Sequence, residues 1–187
     1  MVELSCIAWT VGATYDQICE QYSAYVIRKY GRAIVVFDRY SDTPSTKDCA
    51  HMRRSGGTIG ATVQFTPSMA LQTKKEEFLS NKQNKQRFIA LLSKRLEQAG
   101  CEIHQARGDA DVLIVQTALT SAAERETVLI GDDTDLLVLL IYHAKNVRHN
   151  VFFRPEMRRA SQKENRCWNI PAMRSLLGSV VTDNILE

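Results

Sequence analysis

The stretch TVLIGDDTDLLVLLIY (residues 127–142) changes character twice. Residues 127–130 form a short, wholly apolar run apart from Thr127, the mark of a strand covered on both faces. Gly131, Asp132 and Asp133 interrupt it, and the apolar segment from Asp133 to His143 reads as a helix. Strand, acidic turn and helix together make the repeating unit of a parallel α/β sheet. AIVVF (33–37) repeats the opening of that unit and stops at Asp38.

Working outward, Tyr15–Tyr30 carries an apolar stripe at Ile18, Tyr22, Tyr25 and Val26, with Gly31 as its stop. Glu76–Gln98 reads as helix in two pieces, broken near Ser80 and Asn81, with Phe88, Leu91, Leu92 and Leu96 on the inner face. CEIHQA (101–106) is a candidate strand, followed by a helix from Asp109 to about Ala122. Short strands at 151–153 and 167–170 and a helix over 171–178 complete the set. Strands alternating with helices of this length imply βαβ crossovers. The expectation is one α/β domain over residues 1–187, a central, mainly parallel sheet flanked by helices. Residues 39–66, rich in Ser, Thr, Gly and basic side chains, read as a long functional loop.

The 187 residues are 44% hydrophobic and 24% charged, which excludes a disordered chain. No window approaches the run of about 18 apolar residues that a membrane span needs. The first eleven residues carry Glu3 and no basic cluster, unlike a secretory signal. Five scattered cysteines (6, 19, 49, 101 and 167) without a C-x-x-C pair fit reduced thiols. An intracellular protein, nuclear or cytoplasmic, is expected, with no membrane partner.

The net charge of +3 conceals an asymmetry. Residues 45–95 hold ten Lys or Arg against three acids, whereas residues 96–145 hold nine acids against three bases. Solvated faces of unrelated helices would produce this pattern. So would a surface that holds a polyanion beside a site for divalent cations.

Ligands of parallel α/β sheets bind beyond the carboxyl ends of the strands. Three acidic groups fall there: Asp38, then Asp109 with Asp111, then Asp132, Asp133 and Asp135. Carboxylates gathered at one edge repel unless protons or a cation neutralise them. All-oxygen donors suit Mg²⁺ or Mn²⁺, and one or two such ions support phosphodiester hydrolysis. The bland alternative is that Asp109, Asp132 or Asp133 merely caps its helix.

At these residues the chain resembles the flap-endonuclease-like branch of the PIN-like 5′ nuclease superfamily. IVVFDRY (34–40) resembles the family strand that ends in a metal-ligating Asp, here Asp38. GDADVLIV (108–115) resembles its helix-opening acid pair, here Asp109 and Asp111. VLIGDDTDLLVL (128–139) resembles its E-D-x-D-x-L strand end, which places Asp133 and Asp135 in ligand positions. The match covers roughly residues 15–145. The TKD (46–48), MRRSGG (52–57) and KKEEFLSNK (74–82) stretches are similar to animal PIN-like proteins of mobile-element character. The resemblance implies a three-layer α/β/α fold and a metal-dependent nuclease cutting DNA or RNA. Its catalytic and metal-ligating residues would be Asp38, Asp109, Asp111, Asp133 and Asp135. It makes residues 39–80 a basic, arch-like segment, with Lys47, Arg53, Arg54, Lys82 and Lys85 as the nucleic-acid contacts. The family's additional acids, one on a first strand and one in a Gly-x-Asp turn near the end, have no counterpart here. Asp183 lacks the glycine context, and Arg39 replaces the glycine that usually follows the first Asp. A domain truncated at both ends, or an impaired copy, is therefore implied.

Two rival readings come from other classes. A haloacid-dehalogenase-like phosphatase would use VVFD as its nucleophile strand, yet position 40, where it needs a general acid, is Tyr. A catalytically inactive nucleic-acid-binding or scaffold domain would use the basic stretch alone, with steeply salt-dependent affinity. A Walker-type hydrolase is excluded by the absence of G-x-x-x-x-G-K-[ST]. Cys49-x-His51 and Cys101-x-x-His104 are isolated half-motifs, better read as ordinary thiols and imidazoles than as zinc ligands.

Overall fold

The computed structural model describes residues 7–38, 60–106, 110–156 and 166–186. The chain forms two compact units, residues 2–108 and 109–187. Among the described residues the fold is mixed α/β, with seven helices and two small sheets.

In the first unit, α1 (Tyr15–Tyr30) opens with a capping box. The Thr14 hydroxyl accepts from the Gln17 amide at 3.2 Å, and the Gln17 side chain accepts from the Thr14 amide at 2.9 Å. The helix stops at Gly31, whose φ of +70° suits a residue without Cβ. β1 (Ile34–Asp38) follows, then, further along the chain, α2 (Lys75–Ser80), α3 (Lys82–Gln98) and β2 (Glu102–Ala106). β1 and β2 pair in parallel, Ile34 opposite Glu102 and Asp38 opposite Ala106. The core joins Ile18, Cys19, Tyr22 and Val26 of α1 to Phe88, Leu92 and Leu96 of α3, with Val35 and Phe37 of β1. Trp9 completes it, its ring centroid 4.5 Å from Phe88 and its indole N–H donating to the Tyr22 hydroxyl at 3.0 Å. Arg95 Nε donates to Asp16 Oδ1 at 2.9 Å, tying α3 to α1.

The predicted break between α2 and α3 is built from two carboxamides. Asn81 caps α3, its Oδ1 accepting from the Gln83 and Asn84 amides, while its Nδ2 donates to the Gly60 carbonyl at 2.9 Å. Asn84 is fully buried. Its Oδ1 accepts from Val63 N at 2.8 Å, and its Nδ2 donates to the carbonyls of Ala61 (2.9 Å) and Phe78 (3.3 Å). The irregular segment 60–63 thereby satisfies its backbone groups on α2 and α3 rather than in a ladder. Gly60 lies so close that a Cβ there would meet the Glu77 carbonyl oxygen at 2.2 Å. Of the expected 39–66 loop, only residues 60–66 are described, and residues 39–59 lie outside the described residues.

The second unit contains α4 (Ala110–Ala122), β3 (Thr127–Ile130), α5 (Thr134–His143), β4 (Val151–Arg154), β5 (Trp168–Asn169), α6 (Ile170–Leu177) and α7 (Ser179–Asp183). β3 and β4 are parallel, and β5 is antiparallel to β4, in the order β3-β4-β5. The ladders are thus a parallel pair and a mixed triple, with the antiparallel β5 departing from the all-parallel pattern of the other strands. α4 packs on β3, β4 and α5. Its Ile114, Val115 and Ala118 are buried, as are Leu129, Leu136, Leu140, Val151 and Phe153 of the same unit. Trp168 stacks on Phe153, their ring centroids 5.9 Å apart. Among the described residues no helix is long and apolar enough to cross a membrane.

Two outcomes follow from this packing. Replacing Asn84 by Ala leaves the Val63 amide and two carbonyls without their partner and is expected to cost about 3 kcal/mol in urea unfolding. Burial, reinforced by the negative charge of Asp16 and opposed by Arg95, pushes the Cys19 thiol up to about 12. At pH 8 it therefore stays protonated. Peptide mapping after iodoacetamide treatment should find the exposed Cys167 alkylated, with Cys19 and Cys101 protected until the protein is unfolded.

Candidate functional site

The best-defined acidic group sits where β3 hands over to α5. Gly131 is buried, and its amide donates to the Arg154 carbonyl at 3.2 Å, which carries the ladder to the last residue before the turn. A Cβ on Gly131 would lie 2.8 Å from the Leu136 side chain. Glycine lets Leu136 fold down over the strand end. The chain between them, Asp132 to Asp135, is left on the outside, and all three acids are exposed.

Asp133 is the N-cap of α5, its Oδ1 accepting from the Asp135 amide at 3.0 Å. The capping role left open by the sequence thus falls to Asp133, where the carboxylate also meets the positive end of the helix dipole. Capping through Oδ1 leaves Oδ2 geometrically available to a second partner. Asp135, in the first helical turn, shares the exposed edge. Asp111 lies in the first turn of α4 in the same unit and is half-buried. Asp109 lies outside the described residues. Asp38 is the last residue of β1, half-buried, in the 2–108 unit. Each described acid therefore occupies the kind of position expected of it, at a strand end or in a first helical turn. Among the described residues no three His, Cys, Asp or Glu side chains group as ligands of one ion.

Of the five basic candidates, Lys47, Arg53 and Arg54 lie outside the described residues. Lys82 and Lys85 occupy the first turn of α3, directly after the Asn81 cap, with no acid in that turn. Cations at the positive end of a helix oppose its dipole.

Other residues singled out by the sequence have structural partners. His104 Nε2 lies 2.8 Å from Glu102 Oε1, and Cys101 is buried in the core. Asp183 is held by Lys145 Nζ at 3.1 Å and Arg174 Nη2 at 3.0 Å. Hydrogen bonds from both hold its carboxyl below the usual range. Sequence reasoning missed this knot. Its one signal was Arg174, a lone charge in the apolar run IPAMRSLL (170–177).

The donor chemistry of the 132–135 turn is carboxylate oxygen on a solvent-facing edge, which fits a hard, partly hydrated divalent cation rather than zinc. No protein-family model, curated protein or solved structure matches the chain.

Because Asp133 caps α5, Asp133→Ala is expected to lower stability by about 1 kcal/mol, whereas Asp133→Asn, which retains a capping oxygen, should lie within a few tenths of wild type. Thermal unfolding of the two variants measures the difference. Asparagine is accordingly the substitution with which to probe function at this position.

Proposed function

We propose that the chain is a divalent-metal-dependent nuclease domain of the PIN-like, flap-endonuclease-like type, hydrolysing phosphodiester bonds in DNA or RNA inside the cell. The observation that carries this reading is the β3–α5 turn, where a buried glycine displays Asp132, Asp133 and Asp135 on an exposed edge beyond a parallel strand. Asp111, opening the neighbouring helix of the same unit, and Asp38, closing β1, support it from the other two motifs. In this reading the fold is the three-layer α/β/α arrangement.

Asp38, Asp109, Asp111, Asp133 and Asp135 would hold one or two Mg²⁺ or Mn²⁺ ions. The ions, when bound, supply Lewis-acid neutralisation of charge on the phosphodiester. The chain's own residues do the rest. The cap holds the Asp133 carboxylate at the start of α5. Exposed carboxylates also accept a proton from an attacking water and pass it to solvent. Lys82 and Lys85 attract the phosphate backbone and give binding its salt dependence. The inactive binding module is the second reading, favoured by the engagement of Asp133 in a structural cap.

Cleavage of labelled single-stranded and flapped DNA and RNA with Mn²⁺ separates the two. The nuclease predicts metal-dependent cutting by the wild type that falls at least about a hundredfold in an Asp111→Asn, Asp133→Asn double variant of unchanged stability. Salt-sensitive binding without cutting identifies the binding module instead. Neither binding nor cutting sinks both.

A further inference from the structure

Helix α5 bears its acidic turn at one end and a clamp at the other. The carbonyl oxygens of Ile141 and Tyr142, in its last turn, both accept from Arg174 Nη1 of α6, the bond to Tyr142 measuring 3.2 Å. The same guanidinium reaches α7 through Nη2, which donates to Asp183 Oδ1 at 3.0 Å. Lys145, just beyond the end of α5, meets that same oxygen at 3.1 Å. The Arg174 side chain is only 16% exposed, so its bonds to the carbonyls are shielded. Those of Asp183 and Lys145 stand in solvent, at 42% and 46%.

Among the described residues α7 has few other anchors. It has five residues, begins at Gly178 without a side-chain cap, and buries Thr182. Its Val180 and Val181 stand 78% and 49% exposed. A helix this short does not persist on its own propensity.

We propose that Arg174, Asp183 and Lys145 form an ionic latch that clamps α7 and α6 onto the C-terminal end of α5, and that Arg174 is thereby a positioning residue for the acidic turn at its N-terminal end. Ten residues make a rod of about 15 Å, short enough for loss of one end to loosen the other. The clamp satisfies carbonyls that the helix cannot, and places a cation against the negative end of its dipole. The latch stands independently of the proposed function. The positioning role rests on it.

Hydrogen exchange followed by mass spectrometry on the full chain tests the latch. Asp183→Asn should accelerate exchange of residues 179–185 and also of 140–145, by roughly two- to fivefold, as expected for partly exposed ion pairs. High salt should do the same to the wild type and little more to the variant. Acceleration confined to 179–185 would overturn the latch, because α7 would then fray alone. If Asp183→Asn does not fold, Lys145→Ala must show the same coupled pattern at smaller amplitude. Mn²⁺ titration by electron paramagnetic resonance tests the positioning. Arg174→Lys, which keeps the charge but loses the fork, should weaken Mn²⁺ binding several-fold, and Asp133→Asn should weaken it too. Loss with Asp133→Asn but none with Arg174→Lys overturns the positioning role. Indifference to Asp133→Asn overturns the metal-site reading, with the exchange result unaffected.

Discussion

Parallel strands cannot be joined by a tight turn, and most of the architecture follows from that constraint. The pairing of Ile34–Asp38 with Glu102–Ala106 obliges the chain to leave β1, cross a face, and return in the same direction. The crossover must bury the apolar strand faces while satisfying its own backbone, and a helix does both. Phe88, Leu92 and Leu96 of α3 perform the burial against α1 and β1. The same logic shapes the second unit, where α5 carries the chain from β3 to the parallel β4. The turn leaving β3 consequently begins at the carboxyl end of its strand, and the acids placed there are displayed rather than buried.

The irregular part of the first unit needs a different solution. Segment 60–63 lies against helices and among the described residues pairs with no strand, so side chains supply what a ladder otherwise would. Asn81, Asn84 and Arg87 do so, each bonding to one or more backbone groups of that segment. A neutral amide is well suited to the buried position because it donates and accepts at once without the desolvation cost of a charge. The Asp16–Arg95 pair, with each side chain more than a third exposed, contributes far less and serves mainly to orient α1 against α3.

Much of this was legible in the sequence. Tyr15–Tyr30 could be bounded because its apolar stripe ends at a glycine, and the break at Ser80 and Asn81 because a cap residue interrupts the period. The strand–turn–helix units could be read because a β-branched run, a glycine and an apolar helix leave few alternatives. Asn84 could not be found. KQNKQR (82–87) reads as a solvated surface, and only the arrival of residues 61 and 63 turns one of its amides into a buried anchor. The antiparallel course of β5 was hidden for a related reason, since two residues carry no periodicity and their direction is set by tertiary pairing. At the candidate site, the positions of the acids at strand ends and helix starts were readable. The cap was readable as falling to one of these acids, and geometry assigns it to Asp133, whereas the partners of Asp183 were not readable because tertiary geometry rather than composition fixes them.

Those partners bear on what the acids mean. Three carboxylates in four residues look like a site because their mutual repulsion seems to demand a cation. At full exposure the demand is weak: two charges 4 Å apart in water interact by only about 1 kcal/mol, and salt reduces that further. One of the three, Asp133, already offsets part of it by capping α5. The turn therefore folds without needing an ion, and folding accounts for Asp133 through its cap and for Asp135 through the helix dipole. Asp135, in the first turn of α5, also meets the positive end of the helix dipole, and Asp132 shares the exposed edge just before the cap. A cation of the kind proposed would therefore meet Asp133 and Asp135 already oriented by the start of α5, and would draw on carboxylates that folding has placed for its own reasons.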